Sequence, residues 1–184
     1  MIKNMINLTI FCSSKNNLDP DFYNQTEKFI KLLDPNKFNI VYGGGTSGLM
    51  GTVRNTFIKA GGKMISSNTT RFIEPDIIDD YIFDTINERQ NKMIELGDAY
   101  VVLPGGYGTH FEMLEVMTKN DIGESSKPIF IFNCANVFDN LITLTDNLQS
   151  KGFITRDFNY IKVNIKSNPE ELADLINCYE YTAL

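Results

Sequence analysis

Short apolar segments rich in β-branched and aromatic residues alternate with longer helical patterns along this chain of 184 residues. Most of these segments are almost continuously apolar, as strands buried on both faces of a sheet are. Strands that alternate with helices through short connections favour a parallel sheet with helices on both sides. The sequence therefore predicts an α/β, doubly wound and mainly parallel fold. The predicted strands are residues 7–11, 38–42, 63–66, 81–83, 99–103, 128–132 and 160–163.

Helix signals fill the segments between these strands. Gly97 is expected to be the C′ residue after a helix end, a position at which glycine is often left-handed. Asn168 and Pro169 have the residue types of an N-cap and a first helical position, and acidic residues follow them. Residues 68–80 have no clear period and predict a loop beside the functional site. The predicted helices are residues 21–33, 48–60, 88–96, 109–122 and 137–149, with a last helix that begins after Asn168.

Length and charge limit the possible functions. The chain is 42% hydrophobic, and its length fits one domain over residues 1–184. Seventeen basic and 23 acidic side chains give a net charge of −6, which argues against binding nucleic acid. A glycine-rich turn can still bind a small anion, because its backbone N–H groups dominate locally.

Cysteine and histidine content argues against metal sites and disulfides. Cys12, Cys134 and Cys178 are far apart in the sequence, and His110 is the one histidine. These cysteines are expected to be reduced thiols of a cytoplasmic protein, and a zinc site is not expected. The N-terminal sequence lacks the features of a signal peptide, and the chain has no apolar run of the roughly 18 residues that a membrane span needs.

Two predicted strands run directly into glycine-rich turns that open helices, over residues 43–51 and 104–109. Without Cβ atoms, such turns let backbone N–H groups approach a ligand, and the N-terminus of a helix attracts anions. Either turn alone is explained equally well as a tight strand–helix connection. Two such turns after buried strands favour a phosphate site.

The first turn also matches GxGxxG through Gly43, Gly45 and Gly48, which makes an NAD-dependent oxidoreductase an alternative. That fingerprint needs an acidic residue about 20 residues further on to bind the ribose. Position 68 is asparagine, and the nearest acid downstream is Glu74. A P-loop needs a lysine that this turn lacks. Both nucleotide motifs are therefore weakly supported.

Two carboxylates follow the second turn. Glu112 and Glu115 are three residues apart and so share one helix face, with Glu112 near the positive end of the helix. Taken alone, the pair is best explained as a solvated acidic helix face. Beside an anion-binding turn, it suits a nucleoside monophosphate, because breaking the N-glycosidic bond develops positive charge on the sugar. A carboxylate can stabilise that charge or activate water.

Three stretches together resemble the LOG (Lonely Guy) family of cytokinin riboside 5′-monophosphate phosphoribohydrolases. They are VYGGGTSGLMG at residues 41–51, Glu88-Arg89, and LPGGYGTHFEMLE at residues 103–115. The last contains a complete PGGxGTxxE motif, which is highly specific. The resemblance runs from Leu8 to Ile176. Family members were formerly described as lysine decarboxylases, but nothing in this sequence marks a pyridoxal phosphate lysine.

The resemblance implies a Rossmann-like fold and a homodimer with its site near the subunit interface. It implies hydrolysis of an N6-modified AMP to free base and ribose 5-phosphate, without a metal or an organic cofactor. Arg89 and Glu112 become the catalytic pair. The implied phosphate contacts are Gly105, Gly106, Gly108 and Thr109, and the other substrate contacts are Gly44, Gly45, Thr46, Glu74, Gln90, Tyr107, Glu115 and Thr118.

The chain departs from the family pattern around the arginine. Ile86 replaces a methionine, and Gln90 replaces the basic residue that follows the arginine. Lys119 stands where a tryptophan is common, and the loop of Cys12, Ser13 and Ser14 lacks a glycine. These departures leave the accepted base open. They also make a nucleotide-sensing domain that binds AMP-like ligands without turnover the second interpretation, although such a domain needs no carboxylate beside the ribose.

Overall fold

A sheet of seven parallel strands forms the centre of the protein, and the structure, a computed structural model, describes residues 5–74 and 79–181. The strands are β1 (Ile6–Phe11), β2 (Phe38–Tyr42), β3 (Lys63–Thr69), β4 (Tyr81–Phe83), β5 (Ala99–Val102), β6 (Ile129–Phe132) and β7 (Ile165–Lys166). Their order across the sheet is β4-β3-β2-β1-β5-β6-β7. The predicted Rossmann-like, doubly wound fold is confirmed.

Helices cover both faces of this sheet. The helices are α1 (Pro20–Lys31), α2 (Gly48–Lys59), α3 (Ile86–Leu96), α4 (Tyr107–Asp121), α5 (Asp139–Ser150), α6 (Asn159–Lys162) and α7 (Pro169–Cys178). Side chains of α1, α2 and α7 pack in one core, which includes Phe29, Val53 and Leu172. Side chains of α3 and α4 pack in a second core on the opposite face, around Tyr100 and Met113. In the described ranges, no helix has the length and apolar character needed to cross a membrane.

Two of the predicted segments are wrong in part. Residues 160–163 do not form a strand: residues Asn159–Lys162 are helical, and the last strand comes after them. Phe158 and Ile161, three residues apart, are both buried, which is a helical spacing that a short apolar run hides. Residues 68–80 are not wholly a loop, because Asn68 and Thr69 end β3 and pair with β4. Residues 75–78 lie outside the described residues.

Polar residues made the end of β3 hard to predict. Residues 66–69 are all buried although they are Ser, Ser, Asn and Thr. Hydrogen bonds stabilise them there. The Ser66 backbone amide donates to Asp80 Oδ2 at 2.8 Å, and the Asn68 side-chain Nδ2 donates to Asp79 Oδ2 at 3.0 Å. A hydrophobic pattern cannot detect a strand that is buried through polar contacts.

Local capping rules explain most helix ends. Thr85 and Glu88 form a capping box that starts α3 one residue after Thr85. Asn168 caps α7 as predicted and accepts a hydrogen bond from the Glu171 amide at 3.0 Å. Gly97 is not left-handed: its φ is −74°, and a Cβ there would lie 2.3 Å from Thr9 Oγ1. Close packing, rather than a positive φ, explains that glycine.

The order of the strands places the functional site. The chain moves outward from β1 to β2, β3 and β4, and then returns to add β5 on the other side of β1. The loops after β1 and β5 therefore diverge, which opens a crevice at the carboxyl ends of these two strands. Ligands of doubly wound sheets bind at such a switch point.

Candidate active site

A cavity of about 600 Å³ occupies this crevice. Its wall comes from the loop after β1, the turn after β2, residues 72–74, the start of α3 and the start of α4. Cavities of roughly 300–1,000 Å³ are typical of small-molecule sites. Arg89 and Glu112 both line it, together with Gly106 and Gly108 of the second glycine turn.

The N-terminus of α4 opens into this cavity. Gly106 is the N-cap, and among the described residues no side chain caps the helix. The first helical hydrogen bond runs from the His110 amide to the Gly106 carbonyl at 3.1 Å, so the amides of Tyr107, Gly108 and Thr109 precede it. A Cβ at Gly106 or Gly108 would have no described atom within 4 Å. The site thus offers several N–H donors and the positive end of a helix to an anion.

The N-terminus of α2 is filled by the protein itself. The Gly48 amide donates to Asn16 Oδ1 at 3.0 Å, and the Met50 amide donates to the Ser13 carbonyl at 3.1 Å. The Thr46 amide, in the turn before the helix, donates to Glu74 Oε1 at 2.9 Å. Loop atoms therefore occupy the donors that a ligand would need.

Glycines of this first turn allow close backbone packing. Gly48 has a φ of +60°, and a Cβ there would lie 2.5 Å from the Lys15 carbonyl oxygen. A Cβ on Gly51 would lie 2.0 Å from the Thr46 carbonyl oxygen. These glycines let the loop after β1 and the turn after β2 pack against α2, so their role is structural.

Arg89 and Glu112 meet across the cavity from α3 and α4. Arg89 Nη1 lies 3.4 Å from Glu112 Oε1, and the two side chains are 13% and 10% exposed. Arg89 Nε donates to the Ser67 carbonyl at 3.0 Å, and the Ser67 hydroxyl donates to the Arg89 carbonyl at 3.1 Å. Gly43 makes room for the guanidinium, because a Cβ there would lie 1.6 Å from Nη2. The arginine is thus held in place by β2, β3 and α4.

Burial sets the proton affinity of Glu112. It raises the pKa of this carboxyl to about 7, with a smaller rise from the Glu115 charge, while Arg89 acts in the opposite direction. Both protonation states are therefore populated at neutral pH, which suits a group that accepts and returns a proton. Burial, and secondarily Glu112, raises the pKa of the neighbouring Cys12 thiol well above its ordinary value. Cys12 stays a thiol and not a nucleophile.

Glu74 differs from Glu112 in its partners. Its carboxylate accepts hydrogen bonds from the Thr46 amide and from the Thr46 hydroxyl. The hydroxyl and amide donors of Thr46 lower the pKa of Glu74. Glu74 lines the cavity as a fixed negative charge, and Thr46 lies behind it.

Comparisons with known proteins agree with the motif. The family model described as "possible lysine decarboxylase" matches residues 50–176. A cytokinin riboside 5′-monophosphate phosphoribohydrolase of Arabidopsis thaliana is 30% identical over 171 residues, which cover 90% of this chain and 80% of that protein. The chain belongs to the LOG family. An enzyme of the same name from Rhodococcoides fascians is 29% identical, over 80% of this chain and 78% of that protein.

Solved structures of proteins with other names share this fold. The molybdenum cofactor binding protein of Rippkaea orientalis has a TM-score of 0.64 at 19% identity, with 96% of both chains covered. The molybdenum cofactor carrier protein of Chlamydomonas reinhardtii has a TM-score of 0.68 at 14% identity, with 94% of this chain and 96% of that chain covered. At such identities the likeness concerns the fold alone.

The structure brings most of the residues expected from the LOG motif to one cavity. Gly44, Thr46, Gly105, Glu115 and Thr118 do not line it. The Thr118 hydroxyl donates to the Leu114 carbonyl at 2.7 Å, within its own helix. Gly105 packs against Thr109, where a Cβ would lie 2.0 Å from Oγ1. The expected residues in the wall are Arg89, Glu112, Gly45, Glu74, Gln90, Gly106, Tyr107, Gly108 and Thr109.

Some residues of the cavity wall were not predicted from the sequence. Lys15 follows β1 at the switch point, and that position could have identified it. Phe111 follows Tyr107 by one helical turn, which could also have been noticed. Phe72 and Ile73 come after the polar end of β3, and no sequence signal pointed to them. Within residues 5–74 and 79–181, no cluster of three or more His, Cys, Asp or Glu residues could hold a metal ion.

Proposed function

We propose that this LOG-family protein is a phosphoribohydrolase that cleaves the N-glycosidic bond of an adenosine 5′-monophosphate, N6-modified or plain. The products are the free base and ribose 5-phosphate. One observation carries the proposal: the open N-terminus of α4 and the carboxyl of Glu112, one turn further along the same helix, face one cavity. The family relatives, named for this activity, support it.

The first turn of α4 is suited to the phosphate. Its amides and the helix dipole attract a dianion without a metal. Lys15 lines the same cavity and adds a positive charge. Among the residues expected from the motif, Gly106, Gly108 and Thr109 form this subsite, and Gly105 allows Thr109 to pack below it. The phosphate thereby fixes the distance between the ribose and Glu112.

Glu112 is then the group that meets the sugar. One helical turn advances about 5.4 Å, which is the scale of the distance between a 5′-phosphate and C1′. As the bond from C1′ to the base breaks, its electrons leave with the base, and positive charge develops on the ribose. A carboxylate stabilises that charge and takes a proton from the attacking water, and it then gives this proton up to the departing base, so that no net proton is consumed. Arg89 holds the carboxylate toward the cavity.

The remaining wall is suited to the base. Met50, Phe72, Ile73, Ile86 and Phe111 line the cavity with apolar surface. An aromatic base packs favourably against such side chains. This wall fits adenine with or without an apolar N6 substituent, so an assay of both kinds of nucleotide has to decide between these substrates.

The decisive assay is base release from a panel of nucleoside monophosphates, which includes isopentenyladenosine monophosphate and AMP. We expect free base and ribose 5-phosphate from at least one adenine nucleotide. Glu112→Gln is expected to lower kcat by ~10²-fold or more while binding stays largely intact, because a positioned charge-stabilising group is lost. Glu95→Gln, on the exposed side of α3, is the control. Tight binding without base release by the wild type would instead favour the nucleotide sensor.

We also propose a homodimer that forms through one face of α4. Tyr107, Phe111, Leu114 and Ile122 follow a helical spacing and are 98%, 53%, 46% and 61% exposed. A stripe of apolar side chains on a helix face is typically covered by a partner. Tyr107 and Phe111 also line the cavity, so such a dimer would bring the site close to the interface. Light scattering should give a dimer that Leu114→Glu converts to a monomer; a monomeric wild type would contradict this proposal.

The location we propose is the cytoplasm. All three cysteines are free, and Cys178 is exposed. Exposed free thiols are typical of reducing compartments. Recovery of the full-length chain from a membrane or secreted fraction, rather than from the cytosolic fraction, would contradict this.

A further inference from the structure

Two adjacent contacts join α3 to α4 at the wall of the cavity. The first is the Arg89–Glu112 ion pair, at 3.4 Å. The second is a hydrogen bond in which Gln90 Nε2 donates to Glu115 Oε2. Gln90 is the next residue after Arg89, and Glu115 is three residues after Glu112, so the contacts lie side by side. Gln90 is 1% exposed and the Glu115 side chain is 25% exposed, so the hydrogen bond between them is partly buried.

Lys119 is the cation beside Glu115. Its Nζ lies 3.7 Å from Glu115 Oε1 and 3.8 Å from Glu124 Oε2. Glu115 thus has the neutral Gln90 on one oxygen and Lys119 on the other. On β5, the buried Tyr100 hydroxyl donates to the Ile94 carbonyl at 3.0 Å, and the Glu115 charge adds to the burial that raises the pKa of Tyr100.

The groups that face Glu112 come from three elements. Arg89 approaches from α3, Glu115 lies on its own helix, and the Cys12 thiol approaches from the loop after β1. Arg89 is held by Ser67 and Cys12 remains neutral, so Glu115 supplies the negative charge in this set. The net charge of Glu115 and Lys119 together decides how much negative potential reaches Glu112.

We propose that Gln90, Glu115 and Lys119 form a positioning cluster, which holds α3 against α4 so that Arg89 reaches Glu112 and which tunes the electrostatic potential at that carboxyl. This inference rests on the proposed function of Glu112. It assigns Glu115 a role behind the site instead of a substrate contact, and it gives Gln90 a partner in the protein. Lys119, outside the cavity wall, becomes part of the catalytic arrangement.

The signs of the charge effects follow from Coulomb's law. Glu115→Gln removes a negative charge near Glu112 and can still hydrogen-bond to Gln90, so Glu112 becomes more acidic. Lys119→Met removes the cation that offsets Glu115, so Glu112 becomes less acidic. The shift in Glu115→Gln is expected to be the larger of the two, because Glu115 acts on Glu112 directly and Lys119 acts through its contact with Glu115. A merely structural role predicts no such opposite pair.

Carboxyl titration by NMR tests this directly. In protein labelled with ¹³C-glutamate, the Glu112 carboxyl signal is assigned by its absence in Glu112→Gln. The titration midpoint should fall in Glu115→Gln and rise in Lys119→Met, with Glu95→Gln as the control that leaves it unchanged. The pH profile of kcat should move in the same directions. Midpoints that stay fixed in both variants, or move in the same direction, would overturn the proposal.

Gln90→Met tests the link between the helices. It keeps the volume of the side chain and removes the hydrogen bond to Glu115. We expect kcat to fall about 10-fold with KM within about twofold, since loosened geometry costs rate more than binding. A rise in KM with unchanged kcat would make Gln90 a substrate contact and overturn the positioning role.

Failure of the proposed function would be visible separately. If the wild type releases no base from any nucleotide of the panel, phosphoribohydrolase activity is refuted. The NMR titration needs no turnover, so it still decides whether the positioning cluster controls Glu112.

Discussion

The two glycine turns of this chain start from the same kind of sequence and end as different structures. Each follows a buried strand and opens a helix. At α2, Asn16 and the Ser13 carbonyl accept the hydrogen bonds of the helix amides, and Glu74 accepts that of the preceding turn. At α4, no described side chain caps the helix, and its amides face the cavity. A glycine turn therefore identifies a possible anion site, and its neighbours decide whether the site is free.

The glutamates beside the two turns differ in the same way. Glu74 accepts two hydrogen bonds from Thr46, which lower its pKa and fix it as a charge. Glu112 is buried next to Arg89, and its pKa is raised to about 7. A carboxyl that must exchange a proton at neutral pH needs the second environment, so the difference separates a structural acid from the proposed catalytic one.

The largest expected effect comes from giving α4 the kind of cap that α2 has. Gly106→Asp places a carboxylate at an N-cap whose φ of −91° suits a side chain. The new side chain can accept the hydrogen bonds of the first-turn amides, so AMP affinity should fall by ~10²-fold or more while stability stays within a few tenths of a kcal/mol. Calorimetric titration in the Glu112→Gln background measures the binding. Gly106→Ala is the control, with a smaller loss; unchanged AMP affinity in Gly106→Asp would break the comparison.

The next effect separates the glycines of the two turns. Gly51→Ala in α2 would force a Cβ to within 2.0 Å of the Thr46 carbonyl oxygen. Overpacking against backbone should destabilise the fold by about 2 kcal/mol or more, with a Tm several degrees lower. Gly108→Ala in α4 has open space and should keep the Tm, while KM rises several-fold because the methyl group intrudes on the ligand. Equal Tm values for the two variants would show that the first turn is not closely packed.

The smallest effect is the pH dependence of stability, which should have opposite signs at the two glutamates. For Glu112, the folded pKa of about 7 lies above the ordinary 4.5, so stability is lost as the pH rises from 4.5 through 7. Glu112→Gln should therefore raise the Tm by a few degrees at pH 8 and change it little at pH 4.5. Glu74 has a lowered pKa, so its contribution is present above pH 4.5 and is lost as the pH falls. Glu74→Gln should lower the Tm at pH 8. Thermal scans of both variants at pH 4.5 and pH 8 measure this, and Tm changes of the same sign for the two variants at pH 8 would contradict the prediction.

Much of the fold followed from the sequence because apolar strands and capped helices are local signals. The strand at Phe38–Tyr42 and the cap at Asn168 were predicted as they stand. The end of β3 and the helix Asn159–Lys162 were not, since one is buried through polar contacts and the other has a short, ambiguous apolar pattern. Contacts with segments far away in the sequence stabilise these two elements, and a local pattern does not contain that information.

The candidate site was predictable as a motif but not as a geometry. Residues 104–112 specified the turn and the carboxylate in sequence order. The sequence could not tell that Glu74 joins Thr46 or that Glu115 contacts Gln90, because these partners are 28 and 25 residues apart. Phe72 and Ile73 reach the cavity from a third segment, for which no spacing rule exists.

A crystal structure of the Glu112→Gln variant with bound AMP tests the central claim most directly. We expect the phosphate oxygens about 2.7–3.2 Å from the amides of Tyr107, Gly108 and Thr109, with C1′ turned toward position 112. A phosphate bound at the start of α2, or a ribose held away from position 112, would contradict the account.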